Sequence, residues 1–203
     1  KDDDPQVTED DTNYAYYINS TNLDYYFDHR GILNKGYENS TLIFDGEFVD
    51  KGILTISSPN IKVIGNNSLF NNTVFCVEST NTILSNLNLV LDQIFQDNDY
   101  AGILILNDNN TVYNCTINYN VPSECDGIGI LAECGSYRKV NGLNLINNTI
   151  NIVGNNTEDG SVYGVFVDWV DNPVIYGNTI HADLPLRAIS RSEERRVGKE
   201  CRS

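Results

Sequence analysis

The sequence predicts an all-β chain wound as a parallel β-solenoid, and three observations carry that reading. Asn recurs at a near-regular interval, each recurrence follows a short β-branched run, and no segment carries a capped 3.6-residue apolar stripe. The anchors Asn60, Asn81, Asn110, Asn141 and Asn172 are spaced 21, 29, 31 and 31 residues apart. Gly52, Thr73, Gly102 and Gly164 stand eight residues before four of them, and Gly127 takes that place before Asn141 with six extra residues. Three slots follow these starts. The first reads Ile53, Val74, Ile103, Ile128, Val165; the second Leu54, Phe75, Leu104, Gly129, Phe166; the third Thr55, Cys76, Ile105, Ile130, Val167. β-Branched residues favour a pleated backbone, and side chains alternate with period two, so slots one and three are expected to share the core side.

A second apolar run follows each anchor, for example Ile61, Val63 and Ile64, or Leu143, Leu145, Ile150 and Ile152. Each unit therefore reads strand, Asn turn, strand, Asn/Gly turn. Such a unit cannot bury its apolar side alone, but stacked copies can. At about 4.8 Å per coil, five coils make a rod core of roughly 24 Å. Asn suits the corners because it tolerates left-handed backbone and its amides stack from coil to coil, so the five anchors are expected to form a turn ladder. Four segments result: a disordered acidic tail at residues 1–12, an N-terminal cap region at 13–50, coils at 51–190, and a foreign tail at 191–203. Tyr14, Tyr16, Tyr17, Tyr25, Tyr26 and Phe27 in the cap region are expected to plug the first coil.

Composition narrows the classes. Twenty-nine Asn among 203 residues, no Met and a formal charge of −15 are unlike an ordinary cytosolic enzyme. The charge disfavours nucleic acid, whose phosphates need clustered Lys and Arg, and no apolar run approaches a membrane span. Residues 191–203 hold 5 of the 13 bases and none of the Asn, and they read like a translated sequencing adapter. Without their 5 bases and 3 acids the remainder has 8 bases against 25 acids, a charge of −17. On that reading the rod is truncated at its C-terminal end.

Eight Asn-x-Ser/Thr sequons occur, at Asn19, Asn39, Asn66, Asn71, Asn109, Asn114, Asn147 and Asn155, and are candidate glycosylation sites if the chain is exported. Cys76, Cys115, Cys125 and Cys134 precede the foreign tail. Cys125 and Cys134 stand nine residues apart across an expected strand, too far to bridge if it is extended, and Cys76 reads as a small buried hydrophobe. Catalytic groups are sparse: His29 and His181, with Arg30, Arg138 and Arg187. Asp168, Trp169 and Asp171 form a candidate surface-binding group in which Trp169 could stack on a sugar, although a solvated turn with one partly buried Trp is the preferred reading. No cofactor is expected; calcium is conceivable among carboxylates such as Asp97, Asp99, Asp126 and Asp159, without any spaced Asp loop or Gly/Asp repeat.

Residues 22–31, with NLDYYFD at their start, and STLIFDGEF at 40–48 resemble the N-terminal region of adhesin-like surface proteins of methanogenic archaea. INNTI at 146–150 and YGNTI at 176–180 are similar to the right-handed, pectate-lyase-like β-helix repeats of those proteins. The resemblance covers residues 13–180. It implies a right-handed single-stranded parallel β-helix, an extracellular or cell-surface location, and a non-catalytic face that binds host or microbial glycans or proteins. A polysaccharide lyase or glycoside hydrolase on the same fold is the main rival, and an inert spacer the second.

Overall fold

The computed structural model describes residues 7–10, 13–122, 125–133, 138–154, 162–182 and 187–191. The chain opens with β1 (Val7–Asp10), antiparallel to β2 (Asn13–Ile18), and a single helical turn, α1 (Leu23–Tyr26). Two long bent strands follow, β3 (Thr41–Ile56) and β4 (Lys62–Val77). Beyond them each circuit breaks into three short strands. One circuit holds β5 (Ile83–Ser85), β6 (Asn88–Leu91) and β7 (Ala101–Ile105); the next holds β8 (Thr111–Tyr113), β9 (Thr116–Val121) and β10 (Gly127–Ala132). Then come β11 (Val140–Asn141), β12 (Asn144–Ile146), β13 (Thr149–Gly154) and β14 (Val162–Val167). The last circuit is β15 (Val170–Asp171), β16 (Val174–Tyr176), β17 (Thr179–Ala182) and β18 (Arg187–Arg191).

Apart from β1, every strand pairs in parallel with its equivalent one circuit away, so the fold is a parallel β-helix with three strand faces. The first face runs from β2 through the starts of β3 and β4 to β5, β8, β12 and β16. The second comprises the middles of β3 and β4, then β6, β9, β13 and β17; the third comprises the ends of β3 and β4, then β7, β10, β14 and β18. Thr41, Lys62, Ile83, Thr111, Asn144 and Val174 lie in register, so successive coils take 21, 21, 28, 33 and 30 residues. With β2 as the first member, seven first-face strands span roughly 29 Å at about 4.8 Å per coil.

Parallel stacking thus begins inside residues 13–50, where sequence suggested only a cap, and Val7–Asp10 forms a strand rather than part of a disordered tail. The capping function itself falls to α1 and its surroundings. Tyr26 and Phe27 are buried, and Tyr16 packs edge-on against Tyr26 and Tyr37, which meet each other tilted, at centroid distances of 4.9–5.9 Å. Tyr14, Tyr17 and Tyr25 point to solvent and contribute nothing to that plug.

The interior is a stack of equivalent apolar side chains. Leu42, Val63, Leu84, Val112 and Leu145 line the first face; Phe48, Phe70, Leu89, Ile117 and Ile150 the second; Leu54, Phe75, Ile103, Ile130 and Val165 the third. This register corrects the slot alignment. Phe75 pairs with Ile103 and Leu104 with Leu131, so in the earlier coils the second slot, Leu54 and Phe75, faces the core, while Thr55 and Cys76 of the third face outward. In the coil starting at Gly127 the inward pair is Ile130 and Ala132. The frame slips because Ile103 and Ile130 stand in register with Phe75, which puts Gly102 and Gly129 level with Val74 rather than with Thr73.

The Asn columns are also resolved by register. Asn39, Asn60, Asn81, Asn109, Gly142 and Asn172 occupy one left-handed column, with φ between 51° and 68°. Asn60 Nδ2 donates to Asn39 Oδ1 at 2.8 Å and Asn81 Nδ2 to Asn60 Oδ1 at 3.0 Å. Asn60, Asn81 and Asn172 therefore stand where the sequence put them. Asn110 and Asn141 do not: each is one residue off the column, because Asn109 and Gly142 take the left-handed position. Asn86, Asn114, Asn147 and Gly177 form a second left-handed column at the next corner.

Asn110 has another task. It is 1% exposed; its Oδ1 accepts from Thr82 N at 2.7 Å and its Nδ2 donates to Ser79 O at 2.9 Å. Asn148 repeats this at the other corner, accepting from Cys115 N and donating to Val112 O, both at 2.9 Å. An Asn-Asn pair thus supplies one left-handed residue and one buried amide that caps the coil beneath. Asn148→Ala leaves the buried Cys115 N–H unpaired and is expected to cost about 1–3 kcal/mol, measurable by chemical denaturation.

Candidate functional site

Two surfaces stand out. The first is the outer side of the first face. Tyr17, Ile43, Ile64, Ser85, Tyr113, Ile146 and Tyr176 follow one another in register, forming a stripe along the rod. Tyr17, Tyr113 and Tyr176 are 44%, 43% and 72% exposed, and Ile83 and Val174 lie exposed in the parallel column beside them. This ordered aromatic and aliphatic strip, flanked by amide columns, is a candidate binding surface. The strip was missed from sequence because its members lie 21–33 residues apart and only register aligns them.

The second is a cleft of about 520 Å³ near the N-terminal end of the third face, lined by His29, Arg30, Gly31, Lys51, Gly52, Ile53, Ile94, Phe95, Gln96 and Asp97. Its origin is the change in coil length. The coil that follows β4 carries a nine-residue corner, residues 92–100, where the preceding coil turns within Asn72 and Thr73. Asn72 Oδ1 accepts from Asp92 N at 3.0 Å, and the buried Asn98 donates to Phe75 O and Ala101 O. The left-handed pair Asp99 and Tyr100 closes the loop, with Tyr100 N donating to Phe95 O.

The opposite wall is set by Asp28. Its Oδ1 accepts from the backbone of Arg30 and Ile32 at 2.9 Å, and its Oδ2 from the Arg30 guanidinium at 3.0 Å. The Ile32 N–H foremost, followed by Arg30, holds the Asp28 carboxyl below the usual range. Lys51 N donates to Thr73 Oγ1, which fixes the floor. Cations are scarce in this chain, yet two of the eight Lys and Arg before residue 191, plus one of two His, line this cleft.

The candidates from sequence lie elsewhere. Asp168, Trp169 and Asp171 sit at the corner between third and first faces. Asp168 and Trp169 are half-buried, Trp169 with φ 53°, and Asp171 accepts from Lys139 Nζ at 2.8 Å. Burial first, then the charges of Asp99 and Asp168, raise the Glu133 carboxyl above its ordinary range. A raised acid holds its proton more tightly when folded, so its contribution to stability is full below the ordinary Glu range and falls as pH rises through the folded value. Glu133→Gln is therefore expected to raise the Tm by about 1–3 °C at neutral pH and to leave it unchanged near pH 4.

Asn19, Asn39, Asn66, Asn109, Asn114 and Asn147 are exposed, Asn71 is half-buried, and Asn155 lies outside the described residues. The hydroxyl residue of the Asn71 sequon, Thr73, is fully buried and occupied by the scaffold. Burial pushes the Cys76 and Cys115 thiols up to about 12, so both are inert structural groups. Cys134 lies outside the described residues, as do Asp159 and residues 192–203. Among the described residues no group of three or more His, Cys, Asp or Glu is placed to hold a metal ion, and no helix is long and apolar enough to cross a membrane.

The fold and these surfaces define a parallel β-helix with an exposed aromatic stripe and a corner cleft. The chain matches no protein-family model, no curated protein and no solved structure.

Proposed function

We propose that this chain is an exported, adhesin-like display module that binds surface glycans or proteins through the first face of its β-helix, without catalysis. The observation that carries the reading is the in-register stripe of Tyr17, Ile43, Ile64, Tyr113, Ile146 and Tyr176 on one face of the parallel sheet. Tyr113 and Tyr176 are two coils apart, about 10 Å, and both are open to solvent. Tyrosine rings offer rigid apolar faces with a hydroxyl at the edge, and the flanking Asn columns offer amide donors and acceptors, the pairing that sugar C–H faces and hydroxyls require. The sequons and the resemblance to archaeal surface proteins support export.

The test is a glycan array with the full chain, together with turnover assays on polyuronates and neutral glycans with and without calcium. Binding without turnover, lost in a Tyr113→Ala/Tyr176→Ala double variant, is the expected result. Turnover of any polymer favours the lyase or hydrolase reading, and array silence favours an inert spacer; either overturns the proposal.

A further inference from the structure

We infer that the corner cleft is a second binding site, separate from the first-face stripe, for a single carboxylated sugar. Its volume of about 520 Å³ falls within the range of small-molecule sites. Its lining divides by chemistry. Lys51 and His29 bring N–H donors with no carboxylate within ion-pair distance among the described residues, whereas Arg30 is already held by Asp28. Ile53, Ile94 and Phe95 bring apolar surface, and Gln96 and Asp97 bring hydrogen-bond acceptors.

Each part constrains the ligand. Lys51 and His29 favour an anion, but Asp97 in the same cleft opposes a bare one. A ligand that carries one carboxylate on a hydroxyl-rich body satisfies both: the carboxylate meets Lys51 and His29, while hydroxyls donate to Asp97 and Gln96. The apolar patch of Ile53 and Ile94 suits the C–H face of a pyranose ring. Charge density excludes the alternatives on the anionic side. The formal charge of −15 repels a dense polyanion at long range, whereas at physiological salt, with screening over about 8 Å, a small ligand already in the cleft meets the Lys51 ammonium at short range. The backbone of the walls is prebuilt by the Asp28 clamp, the Thr73 contact to Lys51 N and the loop anchors Asn72 and Asn98, so ordering on binding is confined to side chains.

The experiment is calorimetric titration of the full chain with glucuronate and N-acetylneuraminate against glucose and N-acetylglucosamine, and against acetate, glycine and an Asp-Glu dipeptide. Binding of the sugar acids in preference to all the others is expected. Lys51→Gln is expected to weaken it about tenfold, the size of one charge-assisted contact. Asp97→Asn keeps an acceptor and removes the opposing charge, and so is expected to tighten it severalfold; a zwitterionic ligand requires the opposite sign. Equal binding of neutral sugars, of acetate or of the dipeptide, no binding of any, or affinity unmoved by Lys51→Gln overturns the assignment. The Tyr113→Ala/Tyr176→Ala variant must retain sugar-acid binding; loss there places the ligand on the stripe and overturns it equally.

Discussion

Replacing Phe70 by alanine is expected to lower the unfolding free energy by about 3–5 kcal/mol, the loss that follows removal of a large ring from a rigid core. Phe70 stacks on Phe48 at a centroid distance of 5.0 Å, meets Phe75 edge-on at 4.9 Å and lies 5.5 Å from Phe44. All four rings are fully buried. They come from consecutive coils and from all three faces, so no single neighbour can close the gap that removal leaves. The surrounding strands are fixed by their ladders and cannot collapse inward without losing backbone hydrogen bonds. Denaturant unfolding followed by circular dichroism reads the loss directly. A cost below about 1.5 kcal/mol, the range of volume-conserving core swaps, would show that the ring stack is not a rigid core element.

Gly31→Ala is expected to cost a similar amount, about 3–5 kcal/mol, for a different reason: left-handed backbone and a blocked approach act together. Gly31 has φ +77°, and a Cβ there would fall inside the van der Waals shell of the Ile53 carbonyl. The same stretch holds the first turn onto the next coil, since Thr55 N donates to Gly31 O at 2.8 Å and Leu33 N to Thr55 O at 2.9 Å. An alanine must push the strands apart and weaken both bonds. Because Gly31 and Ile53 both line the cleft, sugar-acid binding is expected to fall along with stability, while the first-face stripe, farther along the rod, retains its ligand. Gly36, with φ +98° and no heavy atom within 4 Å of a Cβ, is the control: Gly36→Ala bears only the backbone cost.

The architecture was legible because a solenoid writes its period into the chain. Asn60, Asn81 and Asn172 marked the left-handed corners because few other residues accept that backbone without strain. The same residue type misled at Asn110 and Asn141. In an Asn-Asn-Thr string either Asn can be the left-handed one, and only the pairing of Thr111 with Ile83 shows that Asn109 is, leaving Asn110 to turn inward. The facing of Cys76 was misjudged for a related reason, since only register shows that Phe75, not Cys76, stands level with the inward Ile103. Buriedness itself was correct: Cys76 is covered by an outer cluster with Ala101, Leu104, Ile128 and Leu131 rather than by the interior. The binding surfaces were almost invisible. Asp168 and Trp169 drew notice as a compact string, whereas the cleft gathers residues from three separated segments that share no local pattern.

The unequal coils, 21 residues in two cases and 28 to 33 in three, have a consequence for how such a chain can change over generations. Every first-face strand from Ile83 onward keeps its three-residue frame, and among the described residues the clearest change in length is at a corner, residues 92–100. An insertion at a corner therefore alters what stands at the rod's edge without displacing any ladder above or below it. Lengthening one corner, as in the nine residues 92–100 beside Lys51, changes what stands at the rod's edge while the tyrosine-bearing face stays untouched. Divergence among related rods is thus expected to accumulate as indels at the corners rather than as substitutions in the lattice.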